Sequence, residues 1–411
     1  MPMSSFSRTS PLSHAVPFPA GAPAAARAVL RRMHRLPRGT LDVVTPDGAR
    51  LRFGDGSAPH ADIGLRNWRV CAATLKSGDI GFAETHIAGD WTSPDLSALL
   101  RLFIANREAV GDLVYGRWWG ALLHRLKHLL NRNSRRGSRR NVRAHYDLGN
   151  AFYRLWLDGG MNYSAAWFDG DTGQALEQAQ AAKIGRALAE CGVRPGGRLL
   201  DLGCGWGATA EAAAELGAQV TGVTLSVEQV SSARQRLAAS GWGERADLRL
   251  QDYRDIEDGP FDAVVSIEMF EAVGRTWWAS YFQALRRLLK PGGLACVQSI
   301  TIRDDLFERY LRSTDFIQQY IFPGGQLPSR PTFREEARKA GLDVVNELAF
   351  GPDYAETLRR WRQRFVAQEK AVLELGFDHR FLRTWSFYLA YCEAAFDAGN
   401  TDVVQFTLRR P

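Results

Sequence analysis

The segment best equipped for chemistry is Asp201-Leu202-Gly203-Cys204-Gly205-Trp206-Gly207, which follows the apolar pair Leu199-Leu200 and precedes an alanine-rich stretch. Glycines at alternate positions let the backbone approach a ligand where a Cβ would collide. A dinucleotide site spaces them G-x-G-x-x-G and sets a pyrophosphate on the helix N-terminus. Here the spacing is G-x-G-x-G, with an acid two positions before the first glycine. A turn kept tight for packing alone is the alternative, and the strand before it and the helix after it favour a ligand. Thr224, Leu225, Ser226 and Gln229 close a second apolar segment, and their hydroxyl and amide groups can bond a polyhydroxyl ligand. Gln251-Asp252-Tyr253 closes a third. There Asp252 can accept from an exocyclic amine and Tyr253 can pack on a ring, or Asp252 can simply cap the next turn.

These segments need a frame. Hydrophobic periodicity predicts helices over 179–191, 208–216, 226–239 and 278–289, and strands over 198–202, 219–225, 246–250, 261–267 and 293–302. That alternation belongs to an α/β fold with a doubly wound, mostly parallel sheet. Upstream, 39–91 reads as a small β-rich region, and 96–106 and 118–130 read as helices. The division expected is a disordered tail (1–27), a smaller N-terminal α+β domain with an accessory, lipid-handling role (28–115), a basic helix and linker (116–143), and a catalytic domain (144–411). With 411 residues, 45% of them hydrophobic and 24% charged, the chain can bury two ordinary cores. Five scattered cysteines without metal-ligand spacing argue against disulfides and structural zinc. No apolar run reaches the roughly 20 residues of a membrane span. The arginine-rich, acid-free N-terminus could serve as a transit peptide, but its prolines favour a simple tail.

The glycine turn resembles the first motif of S-adenosylmethionine (SAM)-dependent methyltransferases, in which such a turn accepts the amino-acid end of SAM within a Rossmann-like domain of seven strands. On that resemblance Thr224 to Gln229 would serve the ribose, without the acid many methyltransferases place there. Further motifs are similar to those of the cyclopropane-fatty-acyl-phospholipid synthase family, which includes the mycolic acid methyltransferases. They are His145-Tyr146-Asp147-Leu148-Gly149-Asn150, Met161-Asn162-Tyr163-Ser164, Val223-Thr224-Leu225-Ser226, Ser266-Ile267-Glu268-Met269-Phe270-Glu271, Tyr320-Ile321-Phe322-Pro323-Gly324-Gly325, Tyr354-Ala355-Glu356-Thr357-Leu358 and Leu375-Gly376-Phe377-Asp378. The resemblance runs from about Gly39 to the C-terminus. It implies methyl transfer to the cis double bond of an unsaturated acyl chain in a membrane phospholipid, with Tyr163, Ser164, Asp201, Gly203, Cys204, Gly205 and Gly207 among the residues around SAM.

In the resembled family a bound bicarbonate, held by a Cys, a Glu, a His, a Tyr and a backbone amide, removes a proton from the new methyl group and closes a cyclopropane ring. Glu271, Tyr354 and the backbone of Ile300 match that cage. The Cys is replaced by Ala165, the His by Gln298, and a histidine beside the Glu by Ala272; Cys392 matches a nearby position and could compensate. Ala165 is expected to contribute only space. Two outcomes follow: ring closure through bicarbonate or water on Glu271, Gln298 and Tyr354, which is the first expectation, or resolution of the cation into a methyl-branched or methylene chain. On this reading Glu271→Gln should abolish transfer.

The net charge of +7 calls for an anionic partner. The run containing Arg135, Arg136, Arg139 and Arg140, behind a tryptophan-bearing helix, suits an anionic membrane surface. The expected place is therefore cytoplasmic, on the inner face of the membrane, with the oligomeric state open and a homodimer allowed. A nucleic-acid methyltransferase is the rival reading, and it lacks an Asp/Asn-Pro-Pro-aromatic loop and any nucleic-acid module, so no nucleic-acid partner is expected. An inactive lipid-binding homologue is the third. Phe316, Tyr320, Phe322 and Trp361 are candidates for an acyl tunnel as well as ordinary core.

Overall fold

A computed structural model describes residues 19, 21–109 and 148–411. The expected helix over 118–130, the basic arginine run and His145 lie outside the described residues. The first described helix, Ala24–Met33, begins inside the segment expected to be a tail, because Ala26, Leu30 and Met33 form an apolar stripe that is buried. Four strands follow: β1 (Thr40–Val44), β2 (Arg50–Gly54), β3 (His60–Leu65) and β4 (Trp91–Thr92). They form a sheet in the order β2-β1-β3-β4, β1 running antiparallel to β2 and parallel to β3.

Between β3 and β4 the chain forms a long helix, Arg69–Ala88, within the stretch the sequence reading expected to be β-rich. Val70, Cys71, Ile80, Phe82, Ala83 and Ile87 are all buried along it, so its apolar residues do not fall on one face and the helical period is hidden. The helix is also broken in direction at Gly78, whose φ of 61° suits glycine. The next helix, Leu96–Ala105, lies where expected, with Asp95 capping it through Ala98 N.

The larger region carries β5 (Arg198–Leu202), β6 (Gln219–Thr224), β7 (Ala246–Leu250), β8 (Phe261–Ile267), β9 (Leu289–Ile302), β10 (Asp343–Ala349) and β11 (Thr401–Arg409). Their order is β10-β11-β9-β8-β5-β6-β7, and all pairings are parallel except those of β11. This is the expected Rossmann-like seven-stranded sheet. From β5 the chain winds outward through β6 and β7, then returns to the other side of β5 as β8. Ligands bind at such a switch point, beyond the carboxyl ends of the strands. The glycine turn leaves β5 there and Glu268 follows β8 there.

Apolar clusters cover both faces of the sheet, one holding Phe282, Phe333 and Phe406, the other Ile184, Ala213 and Ala233. A third cluster joins the N-terminal region to the C-terminal helices, with Phe82 and Trp91 beside Phe387 of the helix His379–Asp397. An ion pair between Arg101 and Asp397 (2.7 Å) spans the same junction. Among the described residues no helix is long and apolar enough to cross a membrane.

Candidate active site

The turn after β5 and the segment after Asp158 wall a pocket of about 180 Å³. Gly203 adopts φ +82° and lies against Met269, where a Cβ would come within 2.9 Å of the Met269 Cγ; Gly205 adopts φ +52° and faces open space. Cys204, Tyr163 and Ser164 share this wall. Asp158 shapes it, accepting from Gly160 N, Asn162 N and Asn162 Nδ2, each at 2.8 Å. Thr224, Leu225, Gln229, Asp252 and Tyr253 form the far end.

Three expected cofactor residues stand behind the wall rather than on it. Ser226 caps the helix Val227–Ala239 by accepting from Gln229 N. Gly207 is pressed against Ala233, so its role is close packing of turn and helix. Asp201 is buried beneath the turn; burial pushes its carboxyl up to about 7, Lys183 opposing, and its Oδ2 meets no donor. Asp252 follows the capping alternative: it accepts from Arg254 N (3.1 Å) and is held by the Arg254 guanidinium at 2.8 and 2.6 Å, so both oxygens are engaged. Gln229 accepts from the Thr224 hydroxyl at 2.8 Å, while the Tyr253 hydroxyl is buried without a partner.

The reacting end differs from the cage that the resemblance implied. Tyr354 and Gln298 do converge, but on Glu268 rather than around Glu271. Ala165 N–H and Gln298 Nε2 donate to Glu268 Oε1 at 2.8 and 2.7 Å, and the Tyr354 hydroxyl donates to Oε2 at 2.7 Å. The amide of Gln298 is oriented in turn, because its oxygen accepts from Gln405 Nε2 (3.0 Å) and Arg186 donates to the Gln405 oxygen (2.6 Å). Ala165 therefore contributes its backbone N–H as well as space. Burial raises the Glu268 carboxyl pKa while these donors lower it. Its backbone lies at φ +48°, a conformation a non-glycine residue holds only when its surroundings enforce it.

Glu271 is next to this centre and half-buried, with its Oε2 shielded from solvent and without a hydrogen-bond partner. Burial first, then the charge of Glu268, pushes its carboxyl up to about 8, so near neutral pH it is mostly protonated. Its Oε1 accepts from Ile300 N, which is thereby already engaged. Cys392 does not hydrogen-bond to Glu268, Gln298 or Tyr354, and burial pushes its thiol pKa up, which argues against the compensating role expected for it.

Lys183 was not foreseen. It lies on the buried face of the helix Leu176–Glu190, only 1% exposed, and donates to Ser164 Oγ at 2.6 Å. Burial pushes its ammonium down to about 8 against the pull of Glu268, Asp158 and Asp201. The signal available in the sequence was a lysine in register with the buried Ala179, Ile184 and Ala187. For Glu268 it was a carboxylate directly after the apolar-rich strand Phe261–Ile267.

A profile of the mycolic acid cyclopropane synthetase family matches residues 133–406. The chain belongs to that family. It is 40% identical over 404 residues to tuberculostearic acid methyltransferase UfaA1 of Mycobacterium tuberculosis, covering 96% of this chain and 93% of that one. To the cyclopropane-fatty-acyl-phospholipid synthase of Escherichia coli it is 35% identical over 364 residues, covering 87% and 89%. The solved structure of the cyclopropane synthase MmaA2 from Mycobacterium tuberculosis superposes with a TM-score of 0.62 at 32% identity, covering 66% of this chain and 98% of that one. That of mycolic acid cyclopropane synthase CmaA1 complexed with SAH and CTAB gives 0.62 at 36% identity, again with 66% and 98% coverage. The protein is a SAM-dependent methyltransferase of lipid synthesis.

The pocket suits SAM: a turn without side chains at Gly203 and Gly205, an amide at Gln229 and an unpartnered phenol at Tyr253. Gly203→Ala would force a side chain at positive φ into Met269. We expect SAM affinity in an equilibrium titration to fall roughly tenfold or more, the scale of a 1–3 kcal/mol strain; unchanged affinity would place the cofactor elsewhere.

Bicarbonate does not fit. The Tyr354 and Gln298 donors that would hold it are satisfied by Glu268, and a second anion would sit against that carboxylate.

Proposed function

We propose that this enzyme transfers the methyl group of SAM to a double-bond carbon of an unsaturated acyl chain in a membrane phospholipid, and that Glu268 takes the proton released at the end. The observation that carries the reading is the Glu268 carboxylate, fixed by Ala165 N–H, Gln298 and Tyr354 in the wall of the pocket beside the glycine turn. Bound SAM supplies an electrophilic methyl group on a sulfonium. The turn from Gly203 to Gly205 holds its amino-acid end, Thr224 and Gln229 its ribose, and Tyr253 its adenine.

An alkene is a weak nucleophile, so orientation matters most: the pocket must hold the double bond in line with the methyl group and keep water out. Tyr163, in the pocket wall and backed by the buried Trp361 with ring centroids 5.5 Å apart, supplies an aromatic face on which positive charge developing along the chain is tolerated. Glu268 adds a fixed anion, and a carboxylate has lone pairs beyond those its three donors use, so it can both stabilise that charge and accept a proton. Glu271, neutral beside it, does not compete.

We further infer an open-chain, still unsaturated product in place of the cyclopropane expected first. The cation left by methyl transfer loses a proton to Glu268 either from a neighbouring chain carbon, giving a methyl-branched alkene, or, after a hydride shift along the chain, from the new methyl group, giving an exocyclic methylene. The ring-closing reading leaned on a mobile anion in the position Glu268 fills. The near full-length relative named for tuberculostearic acid methylation supports the same choice. The test is to incubate the protein with methyl-deuterated SAM and anionic vesicles of unsaturated phospholipid, measure co-sedimentation as a reading of surface association, and determine the product. A methyl-branched alkene or an exocyclic methylene is the expected result. Upfield ring protons of a cyclopropane would overturn the product assignment, and absence of label in lipid would overturn the substrate.

A further inference from the structure

A second chamber, of about 300 Å³, lies between the N-terminal sheet and the catalytic region. That is the size at which small-molecule sites begin. Leu41, Val43, Ile63 and Leu65 of β1 and β3 form its floor, and Ile302, Leu306 and Leu327 its opposite wall. Water gains little from such a lining, whereas hydrocarbon loses nothing by entering it. Its polar lining includes the carboxyls of Asp79 and Asp315, the guanidinium groups of Arg107 and Arg309, and three threonines. The hydroxyls of Thr74, Thr314 and Thr401 line the chamber and are buried with no hydrogen-bond partner. Arg107, bonded to Asn400 at 3.2 Å, stands beside Thr401. Unpaired hydroxyl donors suit the ester oxygens at the end of an apolar chain.

The chamber is separate from the cofactor pocket, since no side chain lines both. It is nevertheless close to the reacting end. Tyr391 lines it and bonds Asp79 at 3.0 Å, while the next residue, Cys392, is near enough to Tyr354 and Tyr388 to act on their hydroxyls electrostatically. One helix therefore divides the two spaces. We propose that the chamber receives the second hydrocarbon chain of a two-chain lipid whose other chain reacts beside Glu268. This rests on the lipid methyl-transfer reading given above. Two chains joined at one glycerol need two neighbouring, non-merging spaces, and the pocket that holds Glu268 has no lining residue in common with this chamber.

The test uses the full-length protein and a phosphatidylglycerol carrying one oleoyl chain and one saturated palmitoyl chain with a terminal diazirine. Photolysis should place adducts on peptides containing Val43, Ile63 or Leu306. Adducts confined to peptides containing Glu268 or Tyr354 would overturn the proposal. Independently, Ile63→Trp, which fills the chamber, should raise KM for the two-chain lipid roughly tenfold, as when a pocket rejects a group that no longer fits, while leaving KM for methyl oleate unchanged. An equal rise for both substrates would count against a separate second-chain site, and if the variant does not fold the labelling of the unaltered protein still decides. Adducts in the chamber without methyl transfer would remove the functional reading and leave the chamber standing; transfer without such adducts would do the reverse.

Discussion

Glu268→Gln is expected to lower kcat by about 10²- to 10⁴-fold, the usual contribution of a positioned general base, while SAM affinity changes little. The substitution keeps the shape of the site. A glutamine oxygen can go on accepting from Ala165 N–H and Gln298 Nε2, and its amide can donate to Tyr354, so the geometry survives and only the charge and the proton acceptor are lost. Glu271→Gln is the paired measurement. Because the Glu271 carboxyl is held near pKa 8, at neutral pH the neutral amide resembles the form already present, and its oxygen can still accept from Ile300 N. We expect kcat within about tenfold of the wild type, a change well below that of losing a base. Single-turnover rates with saturating SAM separate the two. A severe loss in Glu271→Gln with a mild one in Glu268→Gln would return the catalytic role to Glu271, where the sequence reading had put it.

That the Gln298 and Tyr354 donors meet Glu268 rather than Glu271 could not be read from residue order. The strands β5, β7 and β8 were legible to the residue, because buried parallel strands are short apolar runs bounded by turns, and the glycine turn was legible because its spacing states a backbone requirement. Tyr354 and Gln298 were also found, but the group they hold was not. Glu268 was visible within a quoted motif, and only the path of the chain after β8, with its left-handed backbone at Glu268, decides which of two acids three positions apart faces the donors. The helix Arg69–Ala88 was lost for another reason: buried on several sides, it has no polar face to give it a period. Asp252 was left between two roles; it caps the next turn through Arg254 N and also lines the pocket.

Lys183→Met should produce the second largest effect, and one with a characteristic dependence on pH. Lys183 is the cation shared by the buried Asp201 and the half-buried Glu268, both with raised carboxyl pKa values. Removing it leaves those carboxyls harder to ionise, so the alkaline-rising limb of kcat should move to higher pH. The sign for stability follows from linkage. Asp201, raised in the folded state to about 7, contributes stability that is fully present below its unfolded value and is lost as pH rises through 7; without Lys183 its pKa rises further and the loss grows. Lys183 itself is lowered to about 8, so between 8 and its unfolded value near 10.5 the unfolded chain binds the extra proton and the wild type gains stability that methionine cannot supply. Both effects act in one direction. Thermal melts should therefore show a small deficit for the variant near pH 5.5, where Asp201 is neutral in either protein, growing steadily toward pH 9. At the alkaline end the deficit should approach the few kcal/mol typical of breaking a buried charge network. A deficit independent of pH would mean that Lys183 acts by packing alone, and an unmoved kcat profile would mean that its charge does not reach Glu268.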